Sequence, residues 1–142
     1  MLHNEVGTAV EAPWEVERAL EFTTVPLCLD TGHLLLGGGD PLGCLRDWIG
    51  RVEHLHVKSA RLDVMRGIVA EGAAVDQVWR RGAFCPLGQG DLDGDGLLAA
   101  VHRLGYQGWI VVEQDTLPGP GGLRRADADQ RANRDYLRAR GF

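Results

Sequence analysis

The chain has 142 residues, enough for one domain with a real core, and its 44% hydrophobic and 25% charged residues are ordinary for a soluble globular protein. Twenty acidic residues against 15 basic ones give a formal net charge of −5, which argues against nucleic acid or a membrane surface as a partner. No run approaches a membrane span, the opening Met1-Leu-His-Asn-Glu5 shows no signal-peptide pattern, and Cys28, Cys44 and Cys85 without a C-x-x-C pair read as reduced thiols of a cytoplasmic protein.

In chain order, Met1 to Asn4 reads as the remnant of a strand. Glu11 to Phe22 follows as a helix, with Pro13 in its first turn and Trp14, Val16, Ala19, Leu20 and Phe22 marking an approximate helical stripe. Val25 to Leu29 is a buried strand, followed by Asp30, a turn at Thr31-Gly32 and then His33. Gly37 to Gly39 predict a flexible loop, and Asp40 caps a helix from Pro41 to about Ile49. Val52 to Val57 is the next strand. Ala60 to Arg81 lack strand character and predict one or two helices broken near Gly72, and Gly82 to Gly90 predict a turn-rich loop. A helix from about Gly96 to Leu104, ended by Gly105, precedes a strand over Gly108 to Glu113. Leu117 to Gly122 forms a Pro/Gly loop. Asp127 to Arg140 is the last helix, and its arginines interleaved with aspartates mark a solvated face.

Alternation of apolar strands with helices predicts an α/β fold with a parallel sheet and right-handed crossovers. Polar groups at the carboxyl ends of successive strands fit a (β/α)8 TIM barrel, whose sites sit at that face. About four strands are visible where a barrel needs eight. Residues 1–142 therefore read as one partial barrel domain: the C-terminal half, with helices on one side of the sheet and the N-terminal half absent. Half a barrel leaves a strand edge on each side and an apolar interior, so self-association or a complementary half-barrel is expected.

Asp30, His56 and Glu113 end three strands and suggest one shared metal site. Asp30 alone reads equally well as a turn acid, and the company of the other two favours a ligand. His54 and His56, two apart, share one strand face; His56, nearer the carboxyl end, is the ligand candidate and His54 an interior packing residue. Glu113 follows Trp-Ile-Val-Val, where an unpaired carboxylate is costly unless it is paired or binds metal. His3, Asn4 and Glu5 offer a fourth ligand from the first strand, against a frayed terminus as the plainer reading. Lys58 reads either as a contact for a substrate oxygen or phosphate or as a solvated loop lysine. Gln114 and Asp115 read as supports for the ligands or as loop. An oxygen- and nitrogen-rich set suits Mn²⁺ or Mg²⁺, with zinc and cobalt left open.

Two look-alikes fall away. Asp91-Leu-Asp-Gly-Asp-Gly96 imitates a calcium loop, but His102 stands where the twelfth-position Glu belongs and no helix enters, so a helix-capping turn is expected. Gly37-Gly-Gly39 lacks the spacing of a nucleotide-binding loop.

The stretches Val6-Gly-Thr-Ala-Val-Glu-Ala12, Leu27-Cys-Leu-Asp-Thr-Gly-His33, His54-Leu-His-Val-Lys58, Gly82-Ala-Phe-Cys-Pro-Leu-Gly-Gln-Gly90 and Gly105-Tyr-Gln-Gly-Trp-Ile-Val-Val-Glu-Gln-Asp115 resemble the xylose-isomerase-like sugar isomerase/epimerase superfamily of TIM barrels. Within it they look most like the inosose dehydratases of inositol catabolism. The resemblance implies that Asp30, His56 and Glu113 bind a divalent metal, Mn²⁺ first, with Co²⁺, Mg²⁺ or Zn²⁺ as alternatives. It places His33 beside the substrate, and His3 stands where relatives carry a further metal carboxylate, with Glu5 two residues on. Ser59 follows Lys58 where many relatives have an acid. The implied chemistry is proton abstraction next to the carbonyl of a polyhydroxy ketone or sugar, through an enediolate, with Glu113, His33 and Lys58 as the catalytic candidates. Loss of a β-hydroxyl would make the enzyme a lyase, and return of the proton an epimerase or isomerase. An inactive fragment that needs a partner half-barrel is the reading from another class. A DNA-repair endonuclease of the same superfamily is disfavoured by the acidic charge and the few histidines.

Overall fold

The computed structural model describes residues 1–119 and 121–142. Its elements in chain order are β1 (Leu2–His3), α1 (Pro13–Phe22), β2 (Leu27–Asp30), α2 (Thr31–Leu36), α3 (Pro41–Trp48), a 3₁₀ turn (Ile49–Arg51), β3 (Val52–Val57), β4 (Ser59–Ala60), α4 (Leu62–Ala70), α5 (Gln77–Arg80), β5 (Phe84–Cys85), α6 (Gly94–Arg103), β6 (Trp109–Val112) and α7 (Gly122–Arg138). Four strands form one sheet in the order β1-β2-β3-β6, and each neighbouring pair is parallel. This is the expected partial barrel: four strands of the eight that close a (β/α)8 wall.

One face of the sheet carries the core. Leu27, Leu29, Leu55 and Val57 are fully buried against Val16 of α1, Leu45 of α3, and Leu97 and Val101 of α6. Each such side chain contributes about 1.5–3 kcal/mol by leaving water. Val52 and Leu55, three apart, both reach this core because the ladder slips between them. Leu27 pairs with Val52 but Cys28 with His54, so Glu53 is the extra residue of a bulge. The same bulge brings the Glu53 carbonyl against Gly108, where a Cβ would lie only 2.4 Å from it. The opposite face, which a closed barrel would enclose, carries His3, Cys28, His54 and Trp109 in one register row. Asp30, His56 and Val111 form the next row toward the carboxyl ends.

Local chemistry sets the helix starts. The Glu15 carboxylate accepts the backbone N–H of Glu11 and Ala12 ahead of α1. Asp40 caps α3 through Leu42 N–H, and Asp93 caps α6 through Gly96 N–H. The Asp91–Gly96 run is therefore the capping turn that the sequence predicts. The break near Gly72 is also present: α4 ends at Ala70, Gly72 takes φ +60°, and the short α5 follows.

Three segments differ from expectation. Thr31–Leu36 is a helix, not a turn; all six of its residues are buried, so no amphipathic stripe betrays it in the sequence. Ser59–Ala60 and Phe84–Cys85 form an antiparallel ribbon, where Ala60 was expected to open a helical segment and Gly82–Gly90 to be loop. Each arm has only two residues, and the pairing is set by distant partners rather than by local pattern. The last helix starts at Gly122, five residues early, after Gly121 turns the chain at φ +82°. It is tied down by Asn133, whose Oδ1 accepts the Leu87 N–H inside the fold. Pro120, part of the predicted Leu117–Gly122 loop, lies outside the described residues.

Candidate metal centre

The carboxyl ends of the four strands bring the polar residues together. Asp30 ends β2 and caps α2, its Oδ1 accepting the His33 N–H at 2.9 Å. Its backbone is held by Asn4, whose side chain accepts the Asp30 N–H and donates to the Asp30 carbonyl, both at 2.9 Å. This amide extends the β1–β2 pairing beyond β1 and leaves the second carboxylate oxygen, Oδ2, facing the mouth. His3 Nε2 and His56 Nδ1 each lie 3.7 Å from that oxygen. Glu113, the residue after β6, places Oε2 at 2.7 Å from His56 Nδ1.

One donor atom each from His3, Asp30, His56 and Glu113 lies within 4.8 Å of the others. His3 Nε2 and Asp30 Oδ2 are buried and have no hydrogen-bond partner. Such orphaned atoms are costly unless something else satisfies them. Two carboxylates and two imidazoles suit a hard or borderline divalent ion. The residues present therefore fit a divalent metal.

Glu5 stands outside this set. Its carboxylate lies 3.8 Å from His3 Nδ1, on the other nitrogen of that ring. Glu113 is more open than the sequence suggests, with its side chain 37% exposed, because the inner face of the sheet is uncovered. His54 lies one row deeper than His56, and its Nδ1 is buried without a partner.

Lys58 is the residue whose surroundings differ most from a solvated loop. Its side chain is fully buried, with Nζ 3.2 Å from each of Asp30 Oδ2, Glu113 Oε2 and Asp115 Oδ2. The contact with Asp30 is an ion pair without hydrogen-bond geometry, which is why that oxygen counts as orphaned. The stem of Lys58 lies on Gly32, where a Cβ would come within 2.7 Å of Cγ. Thr31 fixes the backbone: its hydroxyl accepts the Lys58 N–H and donates to the Lys58 carbonyl. Phe84 covers the ammonium, its ring centroid 4.9 Å from Nζ. Three carboxylates and one ammonium leave a net −2 when both imidazoles are neutral, the charge a divalent cation balances.

The titration directions follow from this packing. Burial would raise the Asp30 carboxyl, but the His3 and His56 rings and the Lys58 charge outweigh it and hold the group well below the usual carboxylate range. The Asp30 carboxylate, then the Cys28 thiol and the hydrogen-bonded Glu113 carboxylate, push His56 up to about 11. Burial would lower Lys58, and Asp30, Asp115 and Glu113 more than reverse that. The hydrogen bond from His56 lowers Glu113. His33 is lowered, chiefly by burial. Its Nδ1 accepts the Val6 N–H at 3.2 Å, so the neutral ring carries its hydrogen on Nε2. That nitrogen faces Lys58 Nζ at 3.2 Å and Asp115 Oδ2 at 3.8 Å.

Asp115 and Trp79 carry more of the site than sequence reasoning assigns them. Asp115 Oδ2 accepts from both Lys58 Nζ and Trp79 Nε1. The place of Asp115 in a Glu-Gln-Asp run after a strand was a usable signal. Trp79 sits in the short α5 and had none.

A parallel sheet with imidazoles and carboxylates at its strand ends, around a buried lysine, defines a (β/α)-barrel mouth of the enzyme type. Residues 2–140 match the family described as "Xylose isomerase-like TIM barrel", and the chain belongs to that family. Over 119 residues it is 34% identical to the inosose dehydratase of Clostridium tetani and 34% identical to that of Geobacillus thermodenitrificans. Each alignment covers 82% of this chain and 40% of the relative, so the chain spans less than half the length of the curated relatives it matches. Its fold is similar to the probable 3-DHS dehydratase AsbF of Bacillus anthracis, with 17% identity, a TM-score of 0.60, and 80% of this chain and 42% of that one covered. It is also similar to the 3-keto-D-glucoside 4-epimerase YcjR of E. coli, with 15% identity, a TM-score of 0.58, and 94% and 44% covered. The relatives it matches are enzymes by name, and the structural likeness at these identities speaks for the fold alone. No helix among the described residues is long and apolar enough to cross a membrane.

Proposed function

We propose that this chain supplies the metal-binding half of an inosose-dehydratase-type lyase acting on a polyhydroxy ketone. The observation that carries the reading is the His3–Asp30–His56–Glu113 cluster at the carboxyl ends of four parallel strands, with Lys58 and His33 at its edge. Residues 1–142 form one partial barrel domain, and the remaining wall comes from further polypeptide, either more of a longer chain or a second half-barrel. Three free thiols fit a cytoplasmic setting.

His3, Asp30, His56 and Glu113 would hold one divalent ion, with Mn²⁺ as the first candidate, and that ion would supply Lewis-acid polarisation of a carbonyl and its neighbouring hydroxyl. Glu113 is the open member of the set and is kept ionised by His56 and Lys58, so it is placed to take the proton from the carbon next to the carbonyl. The Lys58 ammonium faces the negative charge that then develops on the substrate oxygens. Charged Lys58 can hand a proton to the departing β-hydroxyl, and neutral His33, 3.2 Å from it, can donate a hydrogen bond to that oxygen through Nε2–H. This pair of donors favours dehydration. An epimerase of the same superfamily would instead return the proton to the substrate carbon, and the product of the assay below tells the two apart.

The test is an assay of this chain, alone and combined with the other half of the barrel, on inosose and keto-sugars with and without Mn²⁺ or Co²⁺. A dehydrated product that needs the ion and disappears in Asp30→Asn is expected. Activity that a chelator leaves untouched overturns the metal reading, and an epimerised product overturns the lyase reading.

A further inference from the structure

We propose that His3, Cys28 and His56 form a second ion pocket one register row deeper than the carboxylate set, selective for a soft divalent ion of the zinc class. The pocket shares two imidazoles with the carboxylate site, so it rests on the reading that those rings are free to ligate.

Cys28 is two residues before Asp30 on β2, so both side chains point to the same face, about 6.6 Å apart along the strand. Its register partners are His3 on one side and His54 on the other. The thiol is free and Cys28 is only 6% exposed. The sulfur and one nitrogen from each of His3 and His56 lie within 4.8 Å of one another. His3 Nε2 is buried without a hydrogen-bond partner. Two imidazoles and a thiolate are a three-ligand zinc set with a fourth position left for water.

Ligand softness separates the two pockets. Mn²⁺ and Mg²⁺ prefer the oxygen-rich arrangement, whereas zinc and cobalt gain from the sulfur. When the sulfur–metal bond forms, the thiol proton leaves to solvent, so the ion's charge is offset by one. An ion drawn toward Cys28 moves away from Glu113, and it occupies the imidazoles without completing the carboxylate set. Zinc at this position therefore competes with Mn²⁺ instead of replacing it in function.

Cobalt is the probe, because a cobalt–thiolate bond gives a near-ultraviolet charge-transfer band that a nitrogen and oxygen site lacks. The complete chain is titrated with Co²⁺, Zn²⁺ and Mn²⁺. Wild-type protein should show the band, and so should a Cys44→Ser/Cys85→Ser variant. Cys28→Ser should lose it, bind Zn²⁺ more than about tenfold more weakly, and keep its Mn²⁺ affinity. Co²⁺ binding without the band in the wild type overturns the pocket even if Cys28→Ser fails to fold. So does a band that survives in Cys28→Ser. If Mn²⁺ binds while the band is missing, the soft-ion pocket alone is wrong; if neither ion binds, the metal reading of the whole mouth falls with it.

Discussion

The Lys58 ammonium lies 3.2 Å from Oδ2 of Asp30, and both side chains are fully buried. A buried charge pair survives because each partner offsets the other's desolvation, and removing one partner leaves the other uncompensated. Here Lys58 also serves Glu113 and Asp115, so it is the only positive charge of fixed protonation among three carboxylates. Lys58→Met should lower the stability of the ion-free chain by roughly 3 kcal/mol. Mn²⁺ should then stabilise the variant more than it stabilises the wild type, since the ion takes over the missing charge. Denaturant midpoints with and without Mn²⁺ read both effects. Equal midpoints for the two ion-free proteins would show that the lysine is not holding the carboxylates together.

Asp30 has two separable tasks. Oδ1 caps α2 through the His33 N–H, and Oδ2 faces the His3 and His56 rings. Asparagine caps helices as well as aspartate does, whereas alanine costs about 1 kcal/mol there. Asp30→Asn should therefore keep the fold and lose Mn²⁺ affinity by at least about tenfold, while Asp30→Ala loses both. Circular dichroism and metal titration on the two variants make the comparison. Undiminished Mn²⁺ binding in Asp30→Asn excludes the carboxylate as a ligand.

The meeting of Asp30, His56 and Glu113 at one mouth was legible in the sequence because chemistry and period coincide there. Asp30 and Glu113 sit at or just past the end of an apolar run, His56 sits near the end of an alternating one, and a parallel sheet delivers such positions to one face. What holds them was not legible. Asn4 acts through a side chain that mimics a strand, and Thr31 and Gly32 act through contacts with Lys58, 26 or 27 residues away. Trp79 reaches Asp115 only because the β4–β5 ribbon and α5 fold over the mouth, a path no local periodicity records. Lys58 could be read as a solvated loop residue because nothing next to it in sequence announces its three carboxylates.

If His56 is a metal ligand, as proposed, proton and metal compete for its ring. Without an ion, Asp30, then Cys28 and Glu113, raise the ring from 6.5 to about 11. An ion at Nδ1 requires the neutral ring, so Mn²⁺ affinity should climb with pH and binding should release a proton. The stability consequence has the opposite sign. The folded value lies above the ordinary one, so the protonated ring's contribution to the ion-free fold is complete below 6.5 and is lost as pH rises through about 11. The metal-free denaturation midpoint should therefore fall across that window, and Glu113→Gln should flatten the slope. Mn²⁺ affinity that does not change with pH in calorimetry would remove His56 Nδ1 from the ligand set.

The last prediction concerns the face opposite the helices. Ile110 and Val112 of β6 pack into the core, which turns Trp109 and Val111 to the inner side, where they are 72% and 37% exposed. β1 and β6 are the outer strands of the sheet, each with one unpaired backbone edge, and exposed edges beside apolar side chains recruit further strands. All four strands are parallel, so a twofold rotation about the barrel axis would set β6 of one copy beside β1 of another with every strand still parallel. This chain on its own should therefore associate, and Val111→Lys, which charges the inner face without breaking the strand, should shift it toward monomer. Sedimentation across a concentration series measures the equilibrium. A well-folded wild-type monomer at every concentration would show that four strands are self-sufficient and that the open face needs no cover.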